Sequence, residues 1–400
     1  MTVVDEKNTS ESKRESIFRR LYVGTGAFDV VGKRKRWYIF FGALVLVCIA
    51  SMGIKGFNFG IDFEGGTQIQ MPANGKNGQI SEQQAKDVFA EALGRPADEA
   101  QKVGSGVSST IQLRSDTLDA AEVAKIKQAL FQDLGPIGTN GQPSVQAISD
   151  SAVSASWGGE ISRQALIALG VFLLAVTLFL ALYFDTRMAA AALISLLHDI
   201  VVTAGVYSLV GFEVTPATVI GLLTILGFSL YDTVVVFDKV RENTRGLLGL
   251  TRRTFGEAAN LALNQTLMRS FNTALIAMLP ILGLLVVGYI LLGSGTLQDL
   301  ALVQLTGTIV GVLSSVALAT PLLVDFKMRD PKFRQQAERV ASRRANQARK
   351  AAQRDDDFDP NDEDALEAEL RKEKAYAAAA SVPARNQKAH KGRPQGKRKR

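Results

Sequence analysis

The chain has 400 residues, of which 47% are hydrophobic, and its formal net charge is +7. Its apolar residues are gathered in long blocks instead of recurring with helical or strand periodicity, and this excludes an ordinary soluble protein of two domains. The single cysteine, Cys48, lies inside the first block. No disulfide within the chain is therefore available to stabilise a domain.

The apolar blocks approach the roughly 20 residues that an α-helix needs to cross a bilayer. They predict an α-helical polytopic membrane protein with six spans, at 37–54, 166–184, 188–210, 216–237, 270–292 and 297–323. Four basic residues at 33–36 precede the first block, but no small-residue cleavage site follows it. We therefore expect a retained helix at this position and not a signal peptide.

Basic residues are concentrated in alternate loops, and such loops stay in the cytoplasm. This pattern predicts a multi-pass protein of the cytoplasmic (inner) membrane with both termini in the cytoplasm. Residues 1–36 then form a cytoplasmic N-terminal segment. Its amphipathic stretch at 16–23 either lies against the membrane or is disordered, and both interpretations stay open.

Between the first two spans, residues 55–160 have the pattern of a soluble domain, whose elements are listed last. Its order of strands and helices predicts a small extracytoplasmic α+β domain, ferredoxin-like, with helices on one face of a sheet. The domain contains no nucleophile, metal-spaced cluster or phosphate loop, so we predict neither an enzyme nor a bound cofactor or metal. The predicted strands are 66–71, 109–114 and 144–149, and the predicted helices are 81–94 and 118–134.

Two charged regions lie on the cytoplasmic side of the predicted bundle, which spans 161–325. Residues 239–263 predict an amphipathic helix or helix pair between the fourth and fifth spans. The tail at 326–400 is strongly basic, with 21 Lys plus Arg after Phe326 against 12 Asp plus Glu. Such charge blocks favour a disordered tail, and the alternative is contact with anionic lipids or the ribosome.

Asp232 lies inside the fourth span, where a carboxylate costs about 3 kcal/mol or more. Arg269, in the fifth span, is expected at a similar depth. A carboxylate beside an arginine in a low dielectric can be poised to exchange a proton, since burial and the cation act on its pKa in opposite directions. The alternative is a static ion pair that fixes the register of the two helices.

Other polar residues accompany this pair. Ser229 and Thr233 share the face of Asp232, and Gln265, Asn272 and Thr273 share that of Arg269, so both stripes are predicted to face inward. In the third span, His198 and Asp199 point about 100° apart and are expected to face different partners. His198 either makes an ordinary interhelical hydrogen bond or relays protons, and Asp199 is the second acidic candidate for proton coupling.

Small residues suggest two further roles. In the sixth span, Gly307, Gly311, Ser314 and Ser315 form a face that permits close helix packing. After the first span, Gly60, Asp62, Gly65 and Gly66 predict a tight turn in which the aspartate acts as a cap. The alternative for this second group is a hinge between the domain and the bundle.

The stretch FGIDFEGGT (59–67) resembles the SecD/SecF family of the resistance-nodulation-division superfamily, and within it the SecF subunit of bacterial protein export. The similarity continues through HDIVVTAGVYSLVG, the segment around Asp232, NQTLMRSFNTALIAMLP and GTIVGVLSSVALATPLL. The resemblance implies a partner of SecD beside the SecYEG channel that uses the proton motive force to draw preproteins outward. It also implies that Asp232 and Arg269 match the carboxylate and arginine linked to proton use.

This sequence departs from the family pattern just before the carboxylate. GFSLYD (227–232) places a phenol, Tyr231, where the family often has an amide. Two other functions stay open, a proton-coupled exporter of small molecules or lipids from the same superfamily and a scaffold of the translocon that uses no protons. Exporters usually have two six-span halves, so a single half favours a subunit that needs a partner.

Overall fold

The structure, a computed structural model, describes residues 28–138, 140–292 and 295–356. The predicted amphipathic stretch at 16–23 and the end of the charged tail, 357–400, lie outside the described residues. In chain order the α-helices are α1 (Arg34–Lys55), α2 (Ile61–Glu64), α3 (Glu82–Leu93), α4 (Ala120–Leu134), α5 (Ala155–Tyr183), α6 (Thr186–Val210), α7 (Pro216–Asn243), α8 (Phe255–Leu285), α9 (Gly295–Ser314), α10 (Thr320–Met328) and α11 (Pro331–Asp356).

By length and composition, six helical segments of the described chain can cross a membrane, which confirms the predicted number of spans. They are α1, α5, α6, α7, α8 and the continuous segment made of α9 and α10. Within the last segment, residues Ser315–Ala319 are π-helical, and a second π-helix, Val286–Leu292, follows α8. Each of these helical segments is longer than the apolar block that predicted it, because more polar residues at its ends are also helical.

The link between the fourth and fifth spans differs from the prediction. Helix α7 continues to Asn243, a short 3₁₀ turn occupies Leu247–Gly249, and α8 already begins at Phe255. The single amphipathic helix predicted as one alternative over 239–263 is therefore wrong in the described structure. Two helices occupy parts of the segment, as the other alternative required, but they are the end of α7 and the start of α8. Thr254 caps α8 through a capping box with Glu257, and this local signal explains why the helix starts so early.

The domain between α1 and α5 is built on a four-stranded antiparallel sheet, whose strands in spatial order are β5 (Glu99–Val103), β6 (Thr110–Ser115), β2 (Gly66–Pro72) and β7 (Ser149–Val153). In register, Ile69 of β2 lies opposite Leu113 of β6. The strands in chain order are β1 (Asn58–Phe59), β2 (Gly66–Pro72), β3 (Asn74–Gly75), β4 (Gly78–Gln79), β5 (Glu99–Val103), β6 (Thr110–Ser115), β7 (Ser149–Val153) and β8 (Glu213–Val214).

Two of the three predicted strands and both predicted helices of this domain are formed. The predicted third strand at 144–149 is wrong: Ser144 accepts a hydrogen bond from the backbone N–H of Gln146 and starts a 3₁₀ turn, so β7 begins only at Ser149. Strand β5 was not predicted, because Glu99–Val103 lacks a clear alternation of apolar and polar residues.

Helices α3 and α4 form the hydrophobic core of the domain with the sheet. Ile69, Met71, Ile111 and Leu113 of the two central strands are almost fully buried together with residues of both helices. The intervening glutamines belong to the opposite face of the sheet, as the period of two along a strand requires. This arrangement leaves one polar face of the sheet for contact with other parts of the protein.

Residues just before α1 are attached to the N-terminal part of α8. The side chain of Asn260 accepts hydrogen bonds from the backbone N–H groups of Val30 and Val31, at 3.0 and 3.2 Å. That of Asn264 bonds both the N–H and the carbonyl of Phe28. This part of the N-terminal segment is therefore anchored on the bundle.

The charged tail also begins with ordered structure. Arg187 pairs with Asp330 at 2.9 Å, and the Gln336 side chain donates to the carbonyls of Leu250 and Arg253. The structure thus differs from the expected disorder over 331–356, which belong to α11. Residues 338–356 are helical and belong to a second compact unit of the chain.

Candidate functional site

Asp232 lies at a point where three spans meet. Its side chain is on α7 and the residue is only 5% exposed. The Ser270 hydroxyl of α8 donates a 2.5 Å hydrogen bond to one carboxylate oxygen, and the Ser315 hydroxyl donates to the other. Asp232 therefore has hydroxyl partners on two neighbouring spans, and a change in its charge acts on all three.

Ser315 is the first residue of the π-helical segment between α9 and α10. Its hydroxyl lies within hydrogen-bond distance of the Asp232 carboxylate and also 3.0 Å from the carbonyl of Val312. A hydroxyl has one proton to donate and two lone pairs that accept. Ser315 can therefore donate to ionised Asp232, or accept from the protonated acid while donating to Val312. Short π-helical bulges occur frequently at functional sites.

Arg269 does not pair directly with Asp232 in the described structure. Its guanidinium donates a 3.0 Å hydrogen bond to the hydroxyl of Tyr231, on the exposed side of α7 and α8. The reason is helical geometry, because adjacent residues of a helix point about 100° apart. With Asp232 and Ser270 in contact on the inside, the residues just before them, Tyr231 and Arg269, meet on the outside. The expected direct ion pair is thus replaced by two parallel contacts.

The two polar stripes also differ from each other. Ser229, Asp232 and Thr233 of α7 are buried, as an inward stripe requires. On α8, by contrast, Gln265, Arg269 and Asn272 are exposed on the surface of this chain, and Thr273 is half-buried. The prediction that the α8 stripe faces the interior of this bundle is therefore wrong.

A second buried acid lies near the first. Asp199 of α6 is 1% exposed; one of its oxygens is 3.0 Å from Nδ1 of His198, and the other accepts a 2.5 Å hydrogen bond from the Ser229 hydroxyl. Ser229 and Asp232 are three residues apart on α7 and so lie on the same face, one turn apart. The chain His198–Asp199–Ser229 therefore leads towards Asp232.

His198 and Asp199 were expected to face different partners, and this prediction is wrong because the two side chains bond each other. Both are buried, and the ring of Phe41 in α1 packs edge-on against the imidazole with centroids 5.0 Å apart. The other ring nitrogen of His198, Nε2, is buried without a hydrogen-bond partner among the described residues. When Asp199 is ionised, Nδ1 carries the proton and donates to it.

The buried acids lie beside a close helix–helix seam. Gly307 and Gly311 of α9 pack directly against Ile225 and Ser229 of α7: a β-carbon added at either glycine would come within 2.6 or 2.8 Å of those side chains. Ser314 is fully buried and bonds its own helix, at the carbonyl of Gly311. Small residues thus allow α9 to bring Ser315 within reach of Asp232.

The glycine-rich turn after α1 is tightly enclosed. Gly65 and Gly66 have positive φ angles of 82° and 117°, and added β-carbons would lie 2.8 Å from the backbone of Ala155 and 2.6 Å from the carbonyl of Ser115. Gly60 donates its N–H to the carbonyl of Val214 at 2.9 Å. Gly65 and Gly66 therefore require glycine for both conformation and space.

Asp62 does not take the capping role that the sequence predicted. Gly60 is the N-cap of α2, and in the described structure that helix end has no side-chain cap. Asp62 instead lies in the first turn of the helix. The turn is held by its backbone, because β1 pairs in parallel with β8 from the loop between α6 and α7.

Arg114 was not predicted, although it joins this turn to the domain. Its guanidinium lies 3.0 Å from Glu99 and 2.9 Å from the Asn58 side-chain oxygen, and it also bonds the carbonyl of Phe59. Glu213 of β8 is 3.8 Å away; burial raises the pKa of its carboxyl, although Arg114 opposes the shift. A lone arginine at the end of a strand carries no local signal that would have predicted this role.

These features define a class, polytopic helical membrane proteins that hold buried acids among their spans and carry a small domain at one membrane face. The family model described as "Protein export membrane protein SecD/SecF, C-terminal" matches residues 134–329, and that of the "SecD/SecF GG Motif" matches 50–75. The protein translocase subunit SecF of Mycobacterium tuberculosis is 56% identical over 335 residues, which are 84% of this chain and 75% of the relative. The corresponding Streptomyces coelicolor subunit is 40% identical over 392 residues, 97% of this chain and 100% of the relative.

A crystal structure of SecDF from Thermus thermophilus, described as a translocon-associated membrane protein, is similar with a TM-score of 0.64 and 30% identity. The match covers 75% of this chain and 38% of that longer chain. This chain therefore belongs to the SecD/SecF family, which confirms the resemblance seen in its sequence.

Proposed function

We propose that the chain is an accessory subunit of the Sec translocase that acts with SecD and uses the proton motive force to promote preprotein translocation. The observation that carries the proposal is Asp232, a buried carboxylate held by hydroxyl groups from two other spans. Relatives named protein translocase subunit SecF support the translocase role. A carboxylate whose partners are neutral hydroxyl groups can take up a proton and keep hydrogen bonds to them.

Protonation of Asp232 changes its hydrogen bonds without leaving a buried group unpaired. When a carboxylate oxygen gains a proton, it becomes a donor, and Ser315 can accept this bond while turning its own proton to Val312. Ser270 keeps the other oxygen as its acceptor. The proton thus weakens one link between α7 and the sixth span, and a ligand that favours one arrangement of helices shifts their populations.

The contacts of Asp232 favour this role over a static ion pair. Among the described residues, its hydrogen-bond partners are neutral hydroxyls, and Arg269 is bonded to Tyr231. A static ion pair that fixes the register of the two helices would place the Arg269 guanidinium against the Asp232 carboxylate. Arg269 is instead positioned to influence the acid from outside, through the phenol next to it.

The exposed polar stripe of α8 supports SecD as the partner. Arg269, Gln265 and Asn272 are exposed on this chain within a span, and Tyr231 on α7 is 50% exposed. Polar groups in contact with lipid are costly, so such a surface is expected to be covered by another protein. In the Thermus thermophilus SecDF chain the matched part is 38% of a longer polypeptide, whose name includes SecD.

We assign the domain at 56–154 to the extracytoplasmic side, where the translocating preprotein emerges beside the SecYEG channel. The assignment follows from the basic loops, which place both termini in the cytoplasm. A hinge at Gly60, Gly65 and Gly66 would let the domain change its orientation when helices shift. The basic tail is then in the cytoplasm, where anionic lipids or the ribosome are its candidate partners.

The test is Asp232→Asn in the complete complex with SecD and the channel. We expect preprotein release to lose its dependence on the proton gradient, while release driven by ATP alone and assembly of the complex are retained. Ser314→Ala is the matched control, because among the described residues this buried hydroxyl bonds its own helix, at the Gly311 carbonyl. If release in Asp232→Asn still depends on the gradient, proton coupling at Asp232 is excluded and the scaffold role is favoured. A chain that purifies without SecD and exports small molecules would favour the exporter.

A further inference from the structure

We propose that one face of α6, together with Asp299 of α9, forms the route by which protons from the domain side reach the buried acids. This inference rests on the proposed use of protons at Asp232. Four polar residues recur at every fourth position of α6: Ser195, Asp199, Thr203 and Tyr207. All are 1–4% exposed, so they form a polar ladder along the interior of the bundle.

The ladder is unusual because a buried hydroxyl or acid in a span is costly unless it has a function or a partner. Residues four apart lie on the same helical face. Each step of four residues is about 6 Å at 1.5 Å per residue, so the ladder covers about 18 Å of the membrane. Such a column is far longer than one hydrogen-bonded pair needs.

The domain end of the ladder meets two acids. The Tyr207 hydroxyl donates a 2.6 Å hydrogen bond to the backbone carbonyl of Asp299, near the start of α9. Asp299 is 7% exposed, and its carboxyl interacts electrostatically with that of Glu213, which is 8% exposed in the loop after α6. These carboxyls are placed to accept protons at the membrane face where the domain lies.

Tyr207 also separates the two ends of the route. Its ring packs in an apolar cluster with Ile225 and Val303, next to Phe212 and Leu222. This apolar cluster lies at the domain end of the bundle, and the Tyr207 hydroxyl reaches from it to the start of α9. Movement of this hydroxyl away from the Asp299 carbonyl would admit a proton without opening a channel.

The other end of the ladder reaches the candidate site. Asp199 accepts a hydrogen bond from Ser229, which lies one turn from Asp232 on α7. Ser195 Oγ and His198 Nε2 are buried here without a hydrogen-bond partner among the described residues. Both atoms are therefore free to take part in a relay of protons through bridging water.

The proposed transfer is balanced at each step. A proton leaves bulk water for a carboxylate oxygen of Asp299, and that O–H bond breaks as a new O–H bond forms on a bridging water beside Tyr207. Because the rungs are about 6 Å apart, one water is needed between successive hydroxyls. The Thr203 hydroxyl takes a proton from the water on one side and releases its own to the water on the other, and that proton bonds to Asp199. Protonated Asp199 then gives its proton to the Ser229 oxygen, while the proton of the Ser229 hydroxyl moves to Asp232.

The experiment measures proton flux into liposomes that hold the complete complex with SecD, using a pH-sensitive dye inside and an imposed gradient. Thr203→Val removes the hydroxyl with little change in shape, and we expect flux to fall on the order of a hundredfold, as when a positioned proton-transfer group is lost. Asp299→Asn should have a similar effect, and Thr203→Ser should retain most of the flux. Ser208→Ala is the matched control on the same helix, since this buried hydroxyl bonds Ser51 of α1.

The outcomes separate the two proposals. If Asp232→Asn leaves gradient-dependent flux unchanged, the proposed function fails. If Asp232→Asn abolishes flux but Thr203→Val and Asp299→Asn, in assembled complexes, conduct like Ser208→Ala, the route proposed here is wrong while the function stands. Should Thr203→Val not assemble, Tyr207→Phe gives the same decision, because it removes only the hydroxyl that bonds Asp299.

Discussion

The Ser270 hydroxyl donates a 2.5 Å hydrogen bond to the carboxylate of Asp232, and this contact sets the rotation of α8 against α7. With Ser270 turned inward, the preceding residue of α8, Arg269, is on the outside, where it bonds Tyr231. The acid and the arginine therefore act on opposite sides of the same helix pair. A partner chain on the outer side can influence Arg269 without touching Asp232.

Replacing Ser270 with alanine should weaken the link between α8 and α7. A buried carboxylate that loses one donor costs about 1–3 kcal/mol, so we expect a lower thermal midpoint of the purified complex and slower gradient-driven release. Ser314→Ala is the control because it removes a buried hydroxyl whose bond, in the described part of the chain, is to a carbonyl of its own helix. Equal midpoints and release rates for the two variants would contradict the role given to Ser270.

The seam between α7 and α9 should tolerate no added methyl group at Gly307. Its β-carbon would lie 2.6 Å from side-chain atoms of Ile225, and overpacking of this kind costs about 1–3 kcal/mol. Thermal unfolding of Gly307→Ala should show this loss, and the loss in the double variant with Ile225→Ala should be smaller than the sum of the two single losses. Gly227→Ala on α7 meets no atom within 4 Å, so it should be neutral or slightly stabilising. Equal losses of thermal stability in Gly307→Ala and Gly227→Ala would contradict this close packing of α7 and α9.

Much of this architecture follows from local sequence. The apolar blocks predict the spans, and the capping box of Ser81 and Gln84 marks the start of α3. The rotation of each span does not follow, because the stripe with Arg269 has the same periodicity whether it faces its own bundle or a partner. Strand β5 was missed since Glu99–Val103 is stabilised by its neighbour β6 and not by its own pattern.

The candidate site could likewise be predicted from the sequence only in part. Asp232 and Asp199 were identifiable because acids are rare in apolar blocks, whereas their hydroxyl partners Ser270, Ser315 and Ser229 come from other helices. Serine is too common to signal such a role from sequence alone. A contact between two helices depends on the depth of each residue in the membrane and on the rotation of each helix about its axis. The sequence indicates the depth but not the rotation.

The junction between the domain and the bundle should lose stability as pH rises. Burial raises the pKa of Glu213 above its ordinary value of 4.5, so the folded state binds a proton more readily than the unfolded state. The contribution of Glu213 to the free energy of unfolding is fully present below that ordinary value and is lost as pH rises through the folded-state pKa. Glu213→Gln should not show this loss.

The measurement is the difference in thermal midpoint between Glu213→Gln and the wild type, followed from about pH 4 to about pH 8. We expect the variant to gain relative to the wild type with increasing pH. Groups common to both proteins cancel in this difference. Parallel midpoints across the whole range would show that Glu213 titrates normally.

The polar stripe of α8 should be protected by the partner subunit. Asn272→Cys places a thiol on the exposed stripe, and Leu174→Cys places one on α5, where the side chain is 70% exposed. We expect a lipid-soluble thiol reagent to label both in the isolated chain but only Leu174→Cys after SecD is added. Native Cys48 is 2% exposed and should contribute little background. Unchanged labelling of Asn272→Cys in the complex would place SecD elsewhere.

The central claim is that Asp232 gains and loses a proton while bonded to Ser270 and Ser315, and infrared difference spectroscopy of the assembled complex tests it most directly. Lowering the pH should produce the carbonyl band of a protonated carboxylic acid, shifted in Ser270→Ala and missing in Asp232→Asn. A band that is unchanged in Asp232→Asn, or no such band in the wild type at any pH at which the gradient drives release, would contradict the account.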